Sequence, residues 1–311
     1  AHVRMKLKDN QDQFGPAVKK LDMPPGNLPT DFSKHKLPPY LTEGPGWEND
    51  KVAFRLYFDT RNNKDIYGKR ITGMVLDSVG VNPDNSYHKL SGWGMDILKV
   101  GSSLGAGALA FHYTRPDGRD TLVRLAGTDI LGETFQQIAD GPVRSIFRMG
   151  YKWQLENKPV TVTEWISIWG GQYFYQSKVA ISGEIPAGLK IDMGIADFYE
   201  NQLDSIQSNK ATILYSYGKQ SENHDPLGMA ILTPAKETNG FWHLGDKPTD
   251  LTDITDSYLS EQSIGTDTQA NFRFYACWSK SAPEFSTLTA FKTYLDAEVA
   301  AFDQPIVVQL K

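Results

Sequence analysis

One predicted strand and the turn after it carry the first group of side chains that could do chemistry. Residues 51–59 alternate between apolar and polar side chains, so Arg55, Tyr57 and Asp59 share the face opposite the core, and Arg61 follows in the turn. A guanidinium is a planar fork that pairs with a carboxylate or a sulfate. The pattern predicts a charged cleft that binds an anion, and a solvated face with surface ion pairs is the alternative.

Residues 86–101 supply the second group, in a segment where Gly and Trp alternate with polar side chains. Its chemically interesting members are Tyr87, His88, Trp93, Asp96 and Lys99. His88 is the first choice for an acid–base group, because an imidazole with an ordinary pKa near ~6.5 exchanges protons close to neutrality. A histidine that is merely exposed in a loop is the alternative interpretation.

A third segment, Glu222-Asn223-His224-Asp225, follows an aromatic strand and could add a carboxylate to the same cleft. An exposed loop is the favoured interpretation of this segment. His112, on a predicted strand, is a further candidate for substrate binding together with Glu222.

Several familiar motifs are matched only superficially. Gly101-Ser102-Ser103-Leu104-Gly105 fits the serine-hydrolase pattern, but a strand rather than a helix is predicted after it. The acidic residues Asp250, Asp253 and Asp256 lack the spacing of a calcium loop. Cys277, the single cysteine, lies in an apolar run and is predicted to be a core residue. The sequence therefore predicts no cofactor and no metal ligand set, although histidines distant in sequence could still meet in a metal site.

Charge and composition limit the partners. The net charge of −5 argues against nucleic-acid binding, and no apolar run is long enough for a membrane span. Aromatic residues make up 12% of the chain, which favours strands and suits the C–H faces of sugars.

The elements that must position these residues are mostly strands. They are predicted at residues 51–59, 108–113, 121–125, 144–155, 161–168, 173–181, 212–218, 227–233 and 271–278. One helix is predicted over 287–302, with Ser286 as its cap and an apolar stripe of Leu288, Phe291, Leu295, Val299 and Phe302. The pattern predicts an all-β fold, a large antiparallel β-sandwich with one C-terminal helix. Residues 1–50, rich in Pro and Gly breakers, are expected to form an extended arm on a single catalytic domain of residues 51–311.

Long stretches of the chain resemble the family known as domain of unknown function 4861. The resemblance rests on Gly44-Pro45-Gly46-Trp47-Glu48, on Tyr57-Phe58-Asp59-Thr60-Arg61-Asn62, on Asp65-Ile66-Tyr67-Gly68-Lys69, and on His88 with the run from Trp93 to Gly101. It implies a galactose-mutarotase-like supersandwich with its site on the concave face of the larger sheet. It also implies a secreted or periplasmic protein of bacterial polysaccharide degradation, with ulvan-type or pectic uronates as the substrate class.

A uronic acid allows one reaction that a neutral sugar does not, because its C5 proton lies next to a carboxylate. Elimination needs a group that neutralises the carboxylate, a base at C5 and an acid at the leaving oxygen. We expect Arg55 or Arg61 in the first role, His88 in the second, and Tyr57 or Tyr87 in the third. Lys99 joins the catalytic candidates, and Asp59, Trp93 and Asp96 join the substrate-binding ones. The enzyme would be an oligosaccharide dehydratase or an exo-acting lyase.

Two other functions are compatible with the sequence. An aldose 1-epimerase would use His88 or His112 as the acid and Glu222 or Asp225 as the base. A non-catalytic sugar-binding protein would present a platform formed by Trp47, Trp93, Trp169 and Trp278. An acidic oligosaccharide is the expected partner for the preferred function, and the sequence leaves the oligomeric state open.

Overall fold

The computed structural model describes residues 1–305 except 24–26, 128, 200, 247–248 and 265–268. Numbered along the chain, the strands are β1 (His2–Arg4), β2 (Lys20–Met23), β3 (Gly46–Glu48), β4 (Val52–Leu56), β5 (Lys64–Lys69), β6 (Gly94–Asp96), β7 (Ala106–Thr114), β8 (Asp120–Arg124), β9 (Ile130–Ala139), β10 (Arg144–Leu155), β11 (Lys158–Trp169), β12 (Phe174–Gly183), β13 (Lys190–Ala196), β14 (Asn201–Gln207), β15 (Ala211–Gly218), β16 (Leu227–Pro234), β17 (Thr238–His243), β18 (Ser257–Ser263) and β19 (Gln269–Trp278). The α-helix is α1 (Leu288–Asp303), and short 3-10 turns lie at Leu41–Glu43 and Pro283–Ser286.

Three antiparallel sheets contain these strands. Their strand orders are β1-β3-β4-β5-β6, β14-β15-β16-β19-β12-β11-β10-β9-β2 and β17-β18-β13-β7-β8. Among the described residues the chain is mostly β-structure with one C-terminal α-helix, which confirms the predicted all-β fold class. Each predicted strand is present, and β10 has the predicted bounds.

The main core lies between the inner faces of the sheets. Alternation along the strands directs one face of each sheet into this core. In β10 every second side chain is buried, among them Phe147, Met149 and Tyr151. The approach of β5 to β19 is close: a Cβ on Gly68 would lie 2.2 Å from the Trp278 ring. Only glycine at position 68 therefore leaves room for the Trp278 ring to pack against β5.

Residues 1–50 contribute three short strands, which the breakers in this segment separate. Strand β1 pairs with β3, and β2 extends the largest sheet by pairing with β9. The N-terminal residues therefore take part in two sheets rather than lying over them as irregular chain. Among the described residues, no helix combines the length and the apolar character that crossing a lipid bilayer requires.

Helix α1 covers the outer face of the largest sheet. The predicted stripe is confirmed, since Phe291, Leu295 and Val299 are buried against side chains of that sheet. The predicted cap was off by one residue, because the hydroxyl of Thr287 rather than Ser286 accepts the hydrogen bond from the Ala290 amide, at 3.3 Å.

Truncating Leu295 to alanine is expected to lower the free energy of unfolding by about 2–4 kcal/mol, because the side chain is fully buried and leaves a cavity. Urea unfolding measures the change. The matched control is Asp296→Ala on the exposed side of the same helix, which should change stability little. Equal stabilities for the two variants would contradict the packing of α1 on the sheet.

Candidate active site

The candidate site begins with three neighbouring strands of the first sheet. Register places Arg55 of β4 opposite Asp65 of β5, and Tyr67 of β5 opposite Asp96 of β6. Side chains directly opposite each other in an antiparallel pair share a face, and residues two apart on a strand share it as well. The alternation read from the sequence therefore brings an arginine, a tyrosine and two carboxylates onto one face.

Arg55 is the centre of this face and is only 1% exposed. Its Nε and Nη2 donate to Asp65 Oδ2 at 2.9 and 2.6 Å, and Nη2 also donates to Asp96 Oδ2 at 2.8 Å. Its Nη1 lies 3.3 Å from both Glu43 Oε2 and the Tyr87 hydroxyl. The guanidinium is thus saturated by the protein's own acceptors. It holds the neighbouring side chains of the site in place.

Burial perturbs the acids around Arg55. Burial and the neighbouring charge of Asp65 raise the pKa of Asp96 well above its ordinary value, although Arg55 opposes the shift. Burial raises the pKa of Tyr87. The Tyr87 hydroxyl is accordingly neutral at physiological pH and retains a proton that it can donate.

A cleft of about 480 Å³ opens over this network. One wall consists of Tyr57, Arg61, Tyr87 and His88, and the opposite wall comes from the N-terminal segment. The residues of that second wall include Phe32, Lys36, Leu37 and Pro38. The volume of the cleft falls within the range of small-molecule sites.

His88 stands at the rim of the cleft with 63% of its side chain exposed. Its Nδ1 lies 3.3 Å from Asp96 Oδ2, and its ring centroid is 4.5 Å from that of Tyr87. Burial of one side of the ring and the positive charge of Arg55 lower the pKa of His88. Since Nδ1 faces the Asp96 carboxyl group, Nε2 is the ring nitrogen left for a ligand, and the lowered pKa favours the neutral imidazole.

The two tyrosines predicted as proton donors differ in what their hydroxyls do. The Tyr57 hydroxyl donates to Asp65 Oδ2 at 2.7 Å and accepts from Arg55, so its proton is committed to the network. The Tyr87 oxygen accepts a weaker bond from Arg55, and the described residues contain no acceptor for its proton. Tyr87 is the better placed of the two to protonate a bound ligand.

Arg55 and Arg61 both line the cleft, and Arg61 is the more exposed of the two guanidinium groups. The side chain of Asp59 accepts from the Arg61 amide at 2.8 Å and from its Nε at 3.0 Å, and the side chain of Asn62 is held by a backbone carbonyl. This turn folds Arg61 back over the Tyr57 ring, 4.3 Å from its centroid. No described residue accepts a hydrogen bond from Nη1, and the side chain is 33% exposed. Asp59 therefore positions Arg61 rather than touching a ligand.

Other predicted site residues lie beside the cleft rather than in it. Trp93 packs on Tyr67 and lines a neighbouring cavity that shares Tyr87 with the cleft. The Lys99 ammonium sits 4.6 Å from the centroid of the Phe198 ring and does not line the cleft. Glu222 accepts from the Tyr199 hydroxyl at 2.9 Å, and the cleft is not among its contacts.

His112 lies in a different sheet from Arg55 and its partners. It lies on β7 in the third sheet, where its ring contacts Glu261 and Asp120, each at 3.0 Å. The sequence could not reveal this separation, because it depends on which sheet each strand joins. Pairing His112 with Glu222 or Asp225 as an acid–base couple finds no support in these contacts, since Asp225 bonds to Ser221 and Asn223.

The predicted aromatic platform is wrong. Trp47 is fully buried and Trp278 is 1% exposed, so neither can stack on a sugar. Both sit on strands whose inward faces build the core. The interpretation of Cys277 as a core residue is confirmed, because its thiol is buried and its pKa is raised well above the ordinary value by that burial.

Two site residues that the sequence analysis missed come from the turn before β3. Thr42 and Glu43 have positive φ angles of 52° and 66°, which non-glycine residues adopt only at a cost. The buried Arg4 guanidinium holds this turn by donating to Leu41 O at 2.6 Å and to Thr42 Oγ1 at 2.9 Å. The only sequence signal was the Gly-Pro-Gly that follows, which marks a turn but not its partner.

The family model for the domain of unknown function DUF4861 matches residues 1–308, so the chain belongs to that family. One relative, an uncharacterized protein named P7 from Formosa agariphila, is 25% identical over 227 residues. That match covers 66% of this chain and 53% of the relative, so the chain spans about half of the relative's length.

Proposed function

We propose that this protein binds the non-reducing end of a uronic-acid-containing oligosaccharide in the cleft and eliminates the substituent at C4. The observation that carries the proposal is the placement of His88, with its lowered pKa, against Tyr87 in a cleft that also contains Arg61. These are a base, an acid and a cation within one concave surface. Elimination next to a carboxylate requires those three groups.

Substrate binding is assigned to Arg61, supported by Lys36 on the opposite wall. The outward Nη1 of Arg61 offers a charge-assisted hydrogen bond to the uronate carboxylate. That bond also withdraws electron density from C5 and stabilises the negative charge that develops when the C5 proton leaves. Tyr57 supports the guanidinium from behind through the stacked ring.

The chemical step runs between His88 and Tyr87. Nε2 of His88 takes the C5 proton, the C5–H electron pair forms the C4–C5 double bond, and the C4–O bond breaks. The Tyr87 hydroxyl gives its proton to the departing oxygen. The products are a 4,5-unsaturated uronate and either water or a shortened sugar, depending on what C4 carried.

We further propose export from the cytoplasm, because oligosaccharides of this class arise from polymers outside the cell.

Ultraviolet absorbance tests the reaction directly, because the double bond of the product is conjugated with its carboxylate. The protein is incubated with pectic and algal uronate oligosaccharides, and mass spectrometry of the same samples separates loss of water from chain cleavage. A rise in absorbance supports elimination. No rise across the panel, with oligosaccharide binding retained by calorimetry, would instead favour a sugar-binding protein.

The pH dependence of kcat/KM is expected to follow the protonation state of His88. The base must be neutral, and its pKa is lowered by burial and by Arg55. The acid limb of kcat/KM is therefore expected below pH ~6.5, the ordinary histidine value, with a plateau through neutrality. Initial rates measured across the pH range locate the limb. A midpoint above pH ~7 would show that His88 is not the base.

Replacing Arg61 by methionine is expected to raise KM for uronate substrates by about 10–100-fold, as expected for the loss of a charge-assisted hydrogen bond. The control is Arg119→Met, which removes an exposed arginine paired with Asp117 outside the cleft. Michaelis–Menten curves for the three proteins give the comparison. An unchanged KM in the Arg61 variant would remove this residue from substrate recognition.

A further inference from the structure

The third sheet holds a cluster of titratable groups that the proposed reaction does not use. His112 of β7, Asp192 of β13 and Glu261 of β18 come from adjacent strands. Asp192 is directly opposite Glu261, and His112 is opposite Lys190, two residues from Asp192. Their side chains therefore share one face of the sheet. None of them lines the cleft described above.

Three potential ligand atoms of this cluster point at a common centre. His112 Nδ1 lies 3.0 Å from Glu261 Oε2 and 3.7 Å from Asp192 Oδ2. All three ligand atoms lie within 4.8 Å of one another. A divalent ion bound at ~2.0–2.2 Å from nitrogen and oxygen ligands holds them about 3–3.5 Å apart. The observed spacing needs only a small side-chain movement to match.

The buried carboxylate of Asp192 gives independent evidence for a ligand. Asp192 is 0% exposed, and its Oδ2 accepts no hydrogen bond from any described residue. A buried carboxylate oxygen without a donor is costly, and His112 Nδ1 lies 3.7 Å from it, beyond hydrogen-bond distance. This atom faces the centre of the cluster, where a metal ion would satisfy it.

The outer atoms of the same residues are already fixed by other partners. His112 Nε2 lies 3.0 Å from both oxygens of Asp120, which is the carboxylate–histidine arrangement that orients metal-binding imidazoles. Trp242 Nε1 donates to Asp192 Oδ1 at 3.1 Å, and Asn239 Nδ2 donates to Glu261 Oε1 at 3.2 Å. Each candidate ligand is thus held by a second group and turns its remaining atom inward.

We propose that His112, Asp192 and Glu261 form a binding site for a divalent transition-metal ion, Zn²⁺ in the first place and Mn²⁺ in the second. One imidazole nitrogen and two carboxylate oxygens are ligands that suit these ions, and Lys190 Nζ, 3.0 Å from Glu261 Oε1, is the cation already beside the cluster. Calcium prefers six to eight oxygen ligands and is a poor match. The ion joins β7, β13 and β18, so its binding stabilises the third sheet.

The test uses the whole protein, treated with a chelator, dialysed and titrated separately with ZnCl₂, MnCl₂ and CaCl₂. Elemental analysis after dialysis gives the metal content, and thermal unfolding gives the stability. We expect about one Zn²⁺ per chain and a midpoint raised by several degrees, since a ligand that binds only the folded state stabilises it. Asp192→Asn and Glu261→Gln should each weaken binding at least about 100-fold.

Asp253→Asn is the matched control, because this carboxylate is exposed and pairs with Arg124 outside the cluster. It should bind zinc like the wild-type protein. Three results overturn the proposal: no binding and no thermal shift with zinc or manganese in the wild type, binding that both ligand variants retain, or a preference for Ca²⁺. The wild-type titration decides even if a variant fails to fold, and none of these results bears on elimination in the cleft.

Discussion

His88→Ala is expected to lower kcat for uronate elimination by about 10²–10⁴-fold, the usual contribution of a positioned general base. Substrate affinity should change much less, because Arg61 and the N-terminal wall are left in place. The side chain is mostly exposed, and within the described part of the chain its polar contact is with Asp96, so its removal should leave the fold intact. Initial rates from the absorbance of the unsaturated product, measured across substrate concentrations, separate kcat from KM.

The matched control for this variant is His224→Ala. His224 also lies in a loop and packs against a tyrosine, Tyr199, but it does not line the cleft. Wild-type rates in His224→Ala and a large loss in His88→Ala together identify the base. Full activity in His88→Ala would eliminate the mechanism proposed here, since the described cleft contains no other imidazole among its lining residues.

The second large effect concerns stability rather than catalysis. Arg55→Met is expected to lower the free energy of unfolding by about 3–5 kcal/mol, because removing one partner from a buried ion pair leaves uncompensated charge behind. Asp65 and Asp96 are 1% and 3% exposed, and Arg55 is the cation that bonds to both. Urea unfolding followed by fluorescence provides the measurement.

Arg119→Met is the control for the Arg55 variant, because it also breaks a bidentate arginine–aspartate pair. That pair, with Asp117, is exposed, so water replaces the lost bonds and stability should change little. Similar free energies of unfolding for the two variants would mean that leaving Asp65 and Asp96 without Arg55 does not destabilise the folded protein. The prediction also separates Arg55 from Arg61, whose replacement is expected to change substrate affinity instead.

The Arg55 and Arg61 variants test different roles for two arginines that are alike in sequence. Arg55 and Arg61 were equal candidates for holding the substrate carboxylate, since both lie in one charged segment. The structure gives Arg55 three carboxylate neighbours, whereas Arg61 is one-third exposed and no described residue accepts a hydrogen bond from its Nη1. Burial decides between them, because a guanidinium whose donors are all engaged has none to offer a ligand.

The sequence by itself determined the local elements. Alternation along residues 144–155 predicted β10 with its bounds, and the apolar stripe around Phe291 predicted α1. It also placed Tyr87 and His88 beside each other, because neighbours in a short loop stay close in any fold. These features depend on spacings of a few residues, which periodicity and turn chemistry report directly.

Only the tertiary structure decided which distant residues meet. The cleft wall around Lys36, the turn at Glu43 and the separation of His112 from His88 all depend on how the sheets pack. Trp47 and Trp278 show the same limit of sequence analysis, since the sequence pattern around an aromatic residue does not tell whether its side chain is buried or exposed. Register fixes neighbours along one pair of strands, but the choice of sheet and partner comes from the packing of the whole core.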